Sequence, residues 1–446
     1  MQNQSNISDV VSKKLCNACG GCHGICPSDA IYFTETNGGH YFPVIDDTAC
    51  THCGLCMEIC PGAGLVPSLM SELPADPFKG YCIGAYVGKA LNSSIYDNAQ
   101  SGGIASALLV DALESRRIKS AITVSMEFGN PPRPSVKYSR NINDILNGQK
   151  SKYCPVPLLS FLRDLREKDC PTAVVGTSCQ IHGLRNVLFR LPKLRTTVAF
   201  TVGLVCDRVL TYAALDYLVT KSEIDPDTQV VLNFRDKSVS NYPGDVLVTS
   251  VKGQSVIMPS NNRLWIKDYF TPARCRICFD KMNVFSDITV GDPHGITGVD
   301  RKRGETVVIA RTEKGREVIR AACHNNSIAL RLVSYKAVLA GQGIHNKREQ
   351  WRSYVEVFSK MGYEMPNYVE IVKTNAPLTS DLKQCFKNIF HSESLDHFSN
   401  RQDLITFVDR MILKRRFLNI FFSPLRLIIK IFRKFINFFM LLLSVP

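Results

Sequence analysis

Residues 16–27 read CNACGGCHGICP, and residues 50–61 repeat the pattern as CTHCGLCMEICP. Both segments have the form C-x2-C-x2-C-x3-C-P, with a proline directly after the fourth cysteine. Two separate copies of one spacing indicate that the eight thiols serve a common chemistry. The repeat predicts a small cysteine-rich domain over residues 1–70, whose fold is decided by what these thiols bind.

The rest of the composition is that of a globular protein. The chain has 446 residues, of which 45% are hydrophobic and 21% charged, and 17 are cysteine. This length predicts two to four domains. The first residues, MQNQSNISDVVSKKLC, lack the apolar segment of a secretory signal, so we expect a cytoplasmic protein. In that reducing compartment thiols stay free to bind metal.

The repeated spacing is that of bacterial ferredoxins with two 4Fe–4S clusters, in which three cysteines of one run and the fourth of the other hold each cluster. By this rule the ligand sets are Cys16, Cys19, Cys22 and Cys60 for one cluster and Cys50, Cys53, Cys56 and Cys26 for the other. Zinc is the alternative, because C-x2-C is also a zinc spacing. Two identical runs ending in proline favour iron–sulfur clusters, and we expect His23 and His52 at the surface rather than as ligands.

Residues 83–339 alternate apolar runs with amphipathic stretches. Five runs predict strands: AITVSM (121–126), TAVVGT (172–177), TVAFTVGLV (197–205), SDITVG (286–291) and TVVIAR (306–311). Helical spacing occurs in GGIASALLVDALES (102–115), VPLLSFLRDLREK (156–168) and TEKGREVIRAAC (312–323). The alternation predicts an α/β (α+β) fold with a mixed or largely parallel sheet behind the ferredoxin domain.

The end of the chain is basic and apolar. The net charge is +14, and residues 411–446 contain no Asp or Glu but seven cations: Lys414, Arg415, Arg416, Arg426, Lys430, Arg433 and Lys434. These cations interrupt the roughly 20 apolar residues that a membrane span needs. An amphipathic tail on an anionic membrane surface, at its inner face, fits better than a helix packed on a core or a partner. The tail lacks base-reading polar residues, so no nucleic-acid partner is expected.

Four stretches of the α/β region carry polar residues at element ends. In NAQSGGIASALL (98–109) a helix start with glycines could bind phosphate or simply begin a helix. In GQKSKYCPVP (148–157) two lysines and a tyrosine could meet phosphates or a ring, or lie in a solvated loop. VVGTSCQIHGLRN (174–186) runs from a strand into a helix, where α/β folds bind ligands. CRICFDKMNVFSDITVGDPHG (275–295) holds a C-x2-C pair typical of a cluster, zinc or a redox disulfide.

In this order, behind a two-cluster ferredoxin, the four stretches resemble the beta-subunit family of coenzyme F(420) hydrogenases and dehydrogenases, which includes 7-hydroxymethyl chlorophyll a reductase. The resemblance covers about residues 10–345, and its most specific elements are QSGG, SKY, GTSCQIHGLR and CRICFDKMNVFSDITVGD. It implies a flavin-binding half with FAD. It also implies exchange of hydride or electrons between flavin, clusters and an outside acceptor.

The resemblance also implies site residues. The expected flavin contacts are Ser101, Gly102 and Gly103 at the phosphates, Ser151, Lys152 and Tyr153 near the flavin, and Thr177, Ser178 and Gln180 beside it. A third cluster next to the flavin would use Cys179, Cys275 and Cys278, with Cys206 as the expected fourth ligand and Cys82 and Cys154 as alternatives. A buried cysteine is also an ordinary core residue.

These expectations define an iron–sulfur flavoprotein oxidoreductase with five segments. The predicted segments are the ferredoxin domain (1–70), the flavin-binding part (80–160), the part with the third cluster (161–345), a helical region (346–410) and the basic tail (411–446). Electrons from ferredoxin or reduced deazaflavin would enter through the clusters, be paired on FAD and reduce an acceptor, for which a sugar or lipid-linked compound is the working hypothesis. The alternatives are an electron-transfer subunit without its own substrate and, last, a scaffold with structural clusters.

Acid residues near the end of the predicted strand 286–291 are candidates for proton delivery to the substrate. The candidates are Asp280, Asp287, Asp292 and His294. Asp292 and His294 are the preferred pair, since a histidine titrates near neutrality and both follow the strand directly. The alternative is a structural Asp-Pro turn.

Overall fold

The computed structural model describes residues 6–165, 170–379 and 381–415. The chain divides into two compact units, Met1–His397 and Phe398–Pro446. In the second unit residues 401–415 are helical, and the predicted basic tail lies outside the described residues from residue 416 onward. Among the described residues, no helix is both long and apolar enough to cross a membrane.

The first part of the chain folds around the two cysteine runs. Its elements are α1 (Ile7–Ser12), α2 (Gly21–Ile25), β1 (Ile31–Glu35), β2 (Tyr41–Ile45), α3 (Leu55–Glu58) and α4 (Pro67–Ser71). Gly20 and Gly54 occupy equivalent places in the two runs and have φ of 87° and 74°. Ala18 and His52, two residues earlier, also share a positive φ, 53° in both. The sequence repeat is therefore also a repeat of backbone conformation, in which the left-handed residues turn each run around its thiols.

The remaining strands form two sheets. They are β3 (Gly84–Ala90), β4 (Ser120–Glu127), β5 (Arg133–Ser139), β6 (Thr172–Gly176), β7 (Val198–Leu204), β8 (Val230–Asp236), β9 (Asp245–Ser250), β10 (Ser255–Met258), β11 (Ile288–Gly291), β12 (Thr306–Ala310) and β13 (Ile328–Leu332). The large sheet has the order β13-β3-β12-β11-β7-β6-β4-β5, and β8, β9 and β10 form a small antiparallel sheet. Strands β11, β7, β6 and β4 are parallel neighbours, and the other pairs are antiparallel. The predicted mixed α/β architecture is confirmed.

Helices cover the large sheet and continue beyond it. They are α5 (Ser93–Asn98), α6 (Ile104–Glu114), α7 (Ile142–Asn147), α8 (Leu162–Leu165), α9 (Ser178–Arg190), α10 (Leu194–Thr197), α11 (Tyr212–Lys221), α12 (Asn261–Phe270), α13 (Ala273–Arg276), α14 (Glu313–His324), α15 (Tyr335–Gly341), α16 (Ile344–Lys360) and α17 (Leu382–Ser394). Short 3-10 turns occupy Leu158–Phe161, Asn367–Glu370 and Leu395–His397. In the segment 156–168, where the sequence predicts one helix, the structure has the 3-10 turn at 158–161 followed by α8. Residues 166–169 are not among the residues that the structure describes.

The central strands are buried on both faces. Val174 and Ile309 pack in one core with α9. Their immediate neighbours in the same strands, Ala173 and Ala310, pack in the other core with α6 and α14. This alternation follows from the two-residue period of a strand. Because β4, β6, β7 and β11 run parallel, their carboxyl ends meet at one edge of the sheet, where α/β folds bind ligands.

The ferredoxin part is fixed against the large sheet by polar and backbone contacts. Arg133 at the start of β5 binds Glu35 at 2.9 Å and Asp216 at 2.9 Å, and its guanidinium lies 4.5 Å from the Tyr212 ring centroid. The Leu159 N–H donates to the Cys19 carbonyl at 2.8 Å. The first cysteine run is thereby held at the sheet edge.

Candidate functional site

One cysteine set, the outer set, lines a small surface cavity. It consists of Cys26, Cys50, Cys53 and Cys56. Cys53 is exposed and the other three are half-buried. Three of these cysteines come from the second run and one from the first, which is the crossed pairing that the ferredoxin spacing predicts. His52 is exposed in the same loop.

The remaining four ferredoxin cysteines, the inner set, lie deeper. They are Cys16, Cys19, Cys22 and Cys60, of which all but Cys16 are buried. Burial raises the pKa of Cys16 to about 12, and the thiolates of Cys60 and Cys179 add to the rise, while the Ala18 N–H opposes it. Burial raises the pKa of Cys22 as well, followed by the effects of its three partners. Four such thiols ionise together only when a cation is bound among them, which suits iron ligands.

A third set of thiols comes from three distant parts of the chain. Cys179, Cys206, Cys275 and Cys278 line one cavity. Cys179 is the second residue of α9, and the Thr177 hydroxyl lies 3.4 Å from its sulfur. Cys206 follows β7 and its N–H donates to the Lys281 carbonyl at 3.0 Å. Burial raises the pKa of Cys206, and the other three thiolates raise it further.

Of the cysteines considered as a fourth ligand, only Cys206 reaches this third set. Cys154 is buried and lines a different, larger cavity. Cys82 lies near Arg311, which opposes the rise that burial causes in its pKa. In the described part of the chain, no three His, Cys, Asp or Glu side chains form a compact group for a single metal ion.

The larger cavity has a volume of about 440 Å³ and opens at the carboxyl ends of the parallel strands. Gly176 of β6, Leu204 of β7 and Gly291 of β11 line it. The size is in the range of pockets that hold cofactors. Cys179 and Cys206 line this cavity and the cavity of the third set alike. A group bound in the large cavity would therefore be adjacent to whatever the third set holds.

Most of the predicted flavin residues face this cavity. Its lining includes Ser101, Gly103, Ser151, Lys152, Tyr153, Thr177 and Gln180. Gly102 and Ser178 are outside the lining; Ser178 faces the cavity of the third set. The Gly102 N–H donates to the Thr306 hydroxyl at 2.9 Å, and a Cβ there would lie 2.4 Å from the Gly88 carbonyl oxygen. Gly102 thus lets the start of α6 approach the sheet closely, and its N–H is already occupied.

Two lysines project from the loop before the cysteine at 154. The Lys152 ammonium donates to the carbonyls of Gly148 at 2.8 Å and Gln149 at 2.6 Å. Burial lowers the pKa of Lys152 to about 7, Cys154 opposes the shift and Lys150 adds to it. Lys150 is paired with Asp236 at 2.5 Å. A lysine that titrates near neutrality therefore lines the large cavity.

Only one residue of the preferred acid pair lines the large cavity. Asp292 lines the large cavity and its carboxylate binds Arg235 at 2.5 Å. His294 is outside the lining, with its Nε2 3.9 Å from Asp292 and a side chain 57% exposed. The other two candidates serve internal contacts, since Asp280 is 2.8 Å from the His182 Nε2 and Asp287 accepts from Thr201 at 2.9 Å. Among the four acids, Asp292 alone faces the cavity.

Two arginines at this site carried no signal in the sequence. Arg235 in β8 is buried and donates to the Pro243 carbonyl at 2.8 Å besides binding Asp292. Arg263 in α12 lines the cavity with its guanidinium 5.7 Å from the Tyr153 ring centroid. Both belong to elements outside the four stretches singled out above.

Family models match three segments of the chain. A 4Fe–4S dicluster domain matches residues 15–63. The model described as coenzyme F(420) hydrogenase/dehydrogenase, beta subunit, matches with its N-terminal part over residues 85–163 and with its C-terminal part over residues 171–335. The matched segments contain the three cysteine sets and most of the lining of the large cavity.

Several proteins of methanogens are similar over long stretches. The beta subunit of the coenzyme F(420) hydrogenase of Methanosarcina barkeri is 26% identical, over 54% of this chain and 79% of its own. One subunit of the F(420)H(2) dehydrogenase of Methanosarcina mazei is 26% identical, over 69% of this chain and 82% of its own. The coenzyme F(420)-dependent sulfite reductase of Methanocaldococcus jannaschii is 27% identical over 70% of this chain, and the match covers 46% of that protein.

A solved structure shares the fold. A chain of the F(420)-reducing [NiFe] hydrogenase complex from Methanosarcina barkeri superposes with a TM-score of 0.50 at 24% identity. The superposition covers 64% of this chain and 96% of the other. The mixed-sheet architecture is thus shared with that chain.

Proposed function

Because this chain belongs to the coenzyme F(420) hydrogenase/dehydrogenase beta-subunit family and is an iron–sulfur redox protein, we propose that it is a flavin-dependent oxidoreductase. In this proposal three 4Fe–4S clusters connect an outside donor to FAD, which occupies the large cavity. Bound clusters would supply single-electron transfer, and a bound flavin would supply the two-electron chemistry that reduction of a substrate needs.

The observation that carries the proposal is the sharing of Cys179 and Cys206 between two cavities. Cys16 of the inner set also lines the cavity of the third set. The sets therefore form a series from the exposed Cys53 to the large cavity. Such a series would connect a donor at the surface with a redox group held in the large cavity.

The residues of the large cavity suit a flavin nucleotide. The first turn of α6 lines it with Ile104, Ala105 and Ser106, and a helix start favours phosphate. Lys150, whose charge Asp236 pairs, and Lys152 line the same cavity and are the lysines available to a phosphate there. Tyr153 supplies an aromatic surface at the same cavity. These features support FAD as the group held there, and the neighbouring apolar positions would exclude water from it.

The proposed donor follows from the names of the relatives. These names link the relatives to coenzyme F(420), so a reduced deazaflavin or a ferredoxin is the proposed electron donor. A sugar or lipid-linked acceptor is the proposed substrate class. The basic tail would bring the enzyme to an anionic membrane surface where such lipids occur.

The decisive experiment counts iron and flavin in full-length protein reconstituted anaerobically. The proposal expects about twelve iron atoms, four per cluster, and about one FAD released by heat per chain. Cys206→Ser should lose about four iron atoms, whereas the matched variant Cys82→Ser should lose none. If Cys82→Ser loses iron while Cys206→Ser keeps its full iron content, the assignment of Cys206 as the fourth ligand is wrong.

An electron-transfer subunit without its own substrate is the second candidate. Two of the relatives are named as subunits, and one solved relative belongs to a hydrogenase complex, which favours a redox partner protein. This candidate expects iron without flavin, and reduction of a partner protein without turnover of a small molecule. Protein that retains iron but releases no flavin would make it the preferred function.

A further inference from the structure

A buried guanidinium lies between the inner set and the third set of cysteines. Arg274 in α13 directly precedes Cys275 and is 3% exposed. Its Nη2 donates to the Pro61 carbonyl at 3.1 Å, next to Cys60 of the inner set. The Tyr368 ring centroid is 5.5 Å from its guanidinium carbon. One side chain therefore spans from the helix of the third set to the end of the second cysteine run.

Two nitrogen atoms of this arginine have no partner. Among the described residues, no group accepts a hydrogen bond from Nε or Nη1 of Arg274, although both atoms are buried. A buried, unpaired N–H costs about 1–3 kcal/mol, and more for a charged group. Such atoms therefore indicate an acceptor that the protein itself does not supply.

The position of Arg274 identifies that acceptor. It directly precedes Cys275 of the third set, and its Nη2 binds the Pro61 carbonyl beside Cys60 of the inner set. In agreement with this position, its positive charge opposes the rise that burial causes in the pKa of two thiols of the inner set, Cys16 and Cys60, and of two of the third set, Cys179 and Cys278. The arginine therefore faces thiols of both sets.

We propose that Arg274 is a positioning residue shared by two 4Fe–4S clusters, whose sulfur atoms are the acceptors that its two unpaired N–H groups lack. The proposal rests on the proposed function, since it needs a cluster at the third set. Reduction adds an electron to each cluster, so a fixed cation and N–H groups directed at sulfur stabilise the reduced form and raise its potential. Serving both clusters, Arg274 raises both potentials together and so changes the difference between them little.

The chain contains a matched control two residues away. Arg276 is also buried, at 5% exposure, in the same helix. Its Nη1 donates to the Tyr354 hydroxyl at 2.9 Å and its Nη2 to the Asp268 carbonyl at 2.8 Å, away from the cysteine sets, so that only its Nε lacks a partner in the described part of the chain. Arg274→Gln and Arg276→Gln therefore remove similarly buried charges in one helix, and only the first removes a charge that faces thiols of the cysteine sets.

The test is a redox titration of full-length, anaerobically reconstituted protein followed by electron paramagnetic resonance. In Arg274→Gln we expect the inner and third clusters to titrate at lower potential. The expected shift is a tenfold or greater change in the reduction equilibrium, which is about 59 mV for one electron. The outer cluster should not shift, and Arg276→Gln should leave all three unchanged. Wild-type potentials in Arg274→Gln would overturn the proposal.

If Arg274→Gln loses iron, the variant Arg274→Lys, which keeps the positive charge, distinguishes a charge role from a packing role. Recovery of iron and of near wild-type potentials in the lysine variant supports a charge role. Equal loss in both variants overturns the proposal and leaves Arg274 as a packing residue. The iron content of the wild-type protein distinguishes this failure from a failure of the proposed function. About eight iron atoms per chain would show that the third cluster is absent, whatever the role of Arg274.

Discussion

Cys16 in the first cysteine run and Cys206 after β7 line the same cavity. The inner set of the ferredoxin part and the third set of the α/β region are therefore adjacent at one cavity. Arg133 and the Leu159 backbone hold the two parts in this arrangement. The contact gives the ferredoxin part a defined inner end and a defined outer end, on which the following predictions depend.

The crossed pairing predicts which thiol belongs to which ferredoxin cluster. Cys26→Ser should remove the outer cluster and about four iron atoms, although Cys26 lies in the first run. Cys60→Ser should remove the inner cluster and slow reduction of the third cluster. Iron analysis with electron paramagnetic resonance distinguishes the two variants. A Cys26→Ser protein that keeps the outer cluster and loses the inner one would refute crossing.

We predict that Asp292 contributes to substrate reduction and that His294 does not. Asp292→Ala removes the partner of the buried Arg235 at the cavity wall, so we expect flavin to be retained and substrate reduction to slow at least tenfold, about 1.4 kcal/mol. His294→Ala, at an exposed position outside the lining, should change turnover little. Stopped-flow reoxidation of the reduced flavin measures both. Unchanged turnover in Asp292→Ala would remove that residue from the site.

Lys152 predicts a pH dependence of stability. Its pKa of about 7 in the folded chain is below the ordinary lysine value of about 10.5, so the unfolded chain binds the extra proton between these pH values. The resulting penalty is fully present below pH 7 and disappears above about pH 10.5. Lys152→Met should therefore gain most relative to wild type near pH 7, with the gain shrinking as pH rises. Urea unfolding of metal-free protein at several pH values tests this, and a constant difference would contradict it.

The basic tail predicts binding to anionic lipid. Full-length protein should sediment with vesicles that contain phosphatidylserine and not with neutral phosphatidylcholine vesicles, because the tail carries cations without acids. A chain that ends at Asp409 should stay in the supernatant in both cases. Binding should weaken as salt increases. Equal sedimentation of both chains would assign membrane binding to another part of the protein or exclude it.

Local patterns made the fold and the cysteine sets predictable. The spacing around Cys16 and Cys50 specified two equal loops, and the structure repeats even their left-handed residues. The strands at 172–177 and 306–311 were readable because buried strands are short apolar runs between turn residues. Cys206 could be singled out because it follows a strand whose end falls at the same sheet edge as Cys179.

Contacts between distant segments could not be predicted in the same way. Gly102 looks like part of a phosphate loop in sequence, but its requirement for glycine comes from Gly88 and Thr306, which only the folded sheet brings close. Arg235 and Arg274 are single basic residues without a motif. In a sequence they are indistinguishable from surface cations, because their burial is set by partners far along the chain.

The packing of the ferredoxin part also limits which ferredoxin modules could replace it in a chimeric protein. A Cβ on Gly24 would lie 2.2 Å from the Leu159 carbonyl oxygen, so the two parts touch backbone to backbone. A module with any other residue at this position would place a side chain in the contact and force the two parts apart. A chimera therefore keeps this contact only when the incoming module has glycine there.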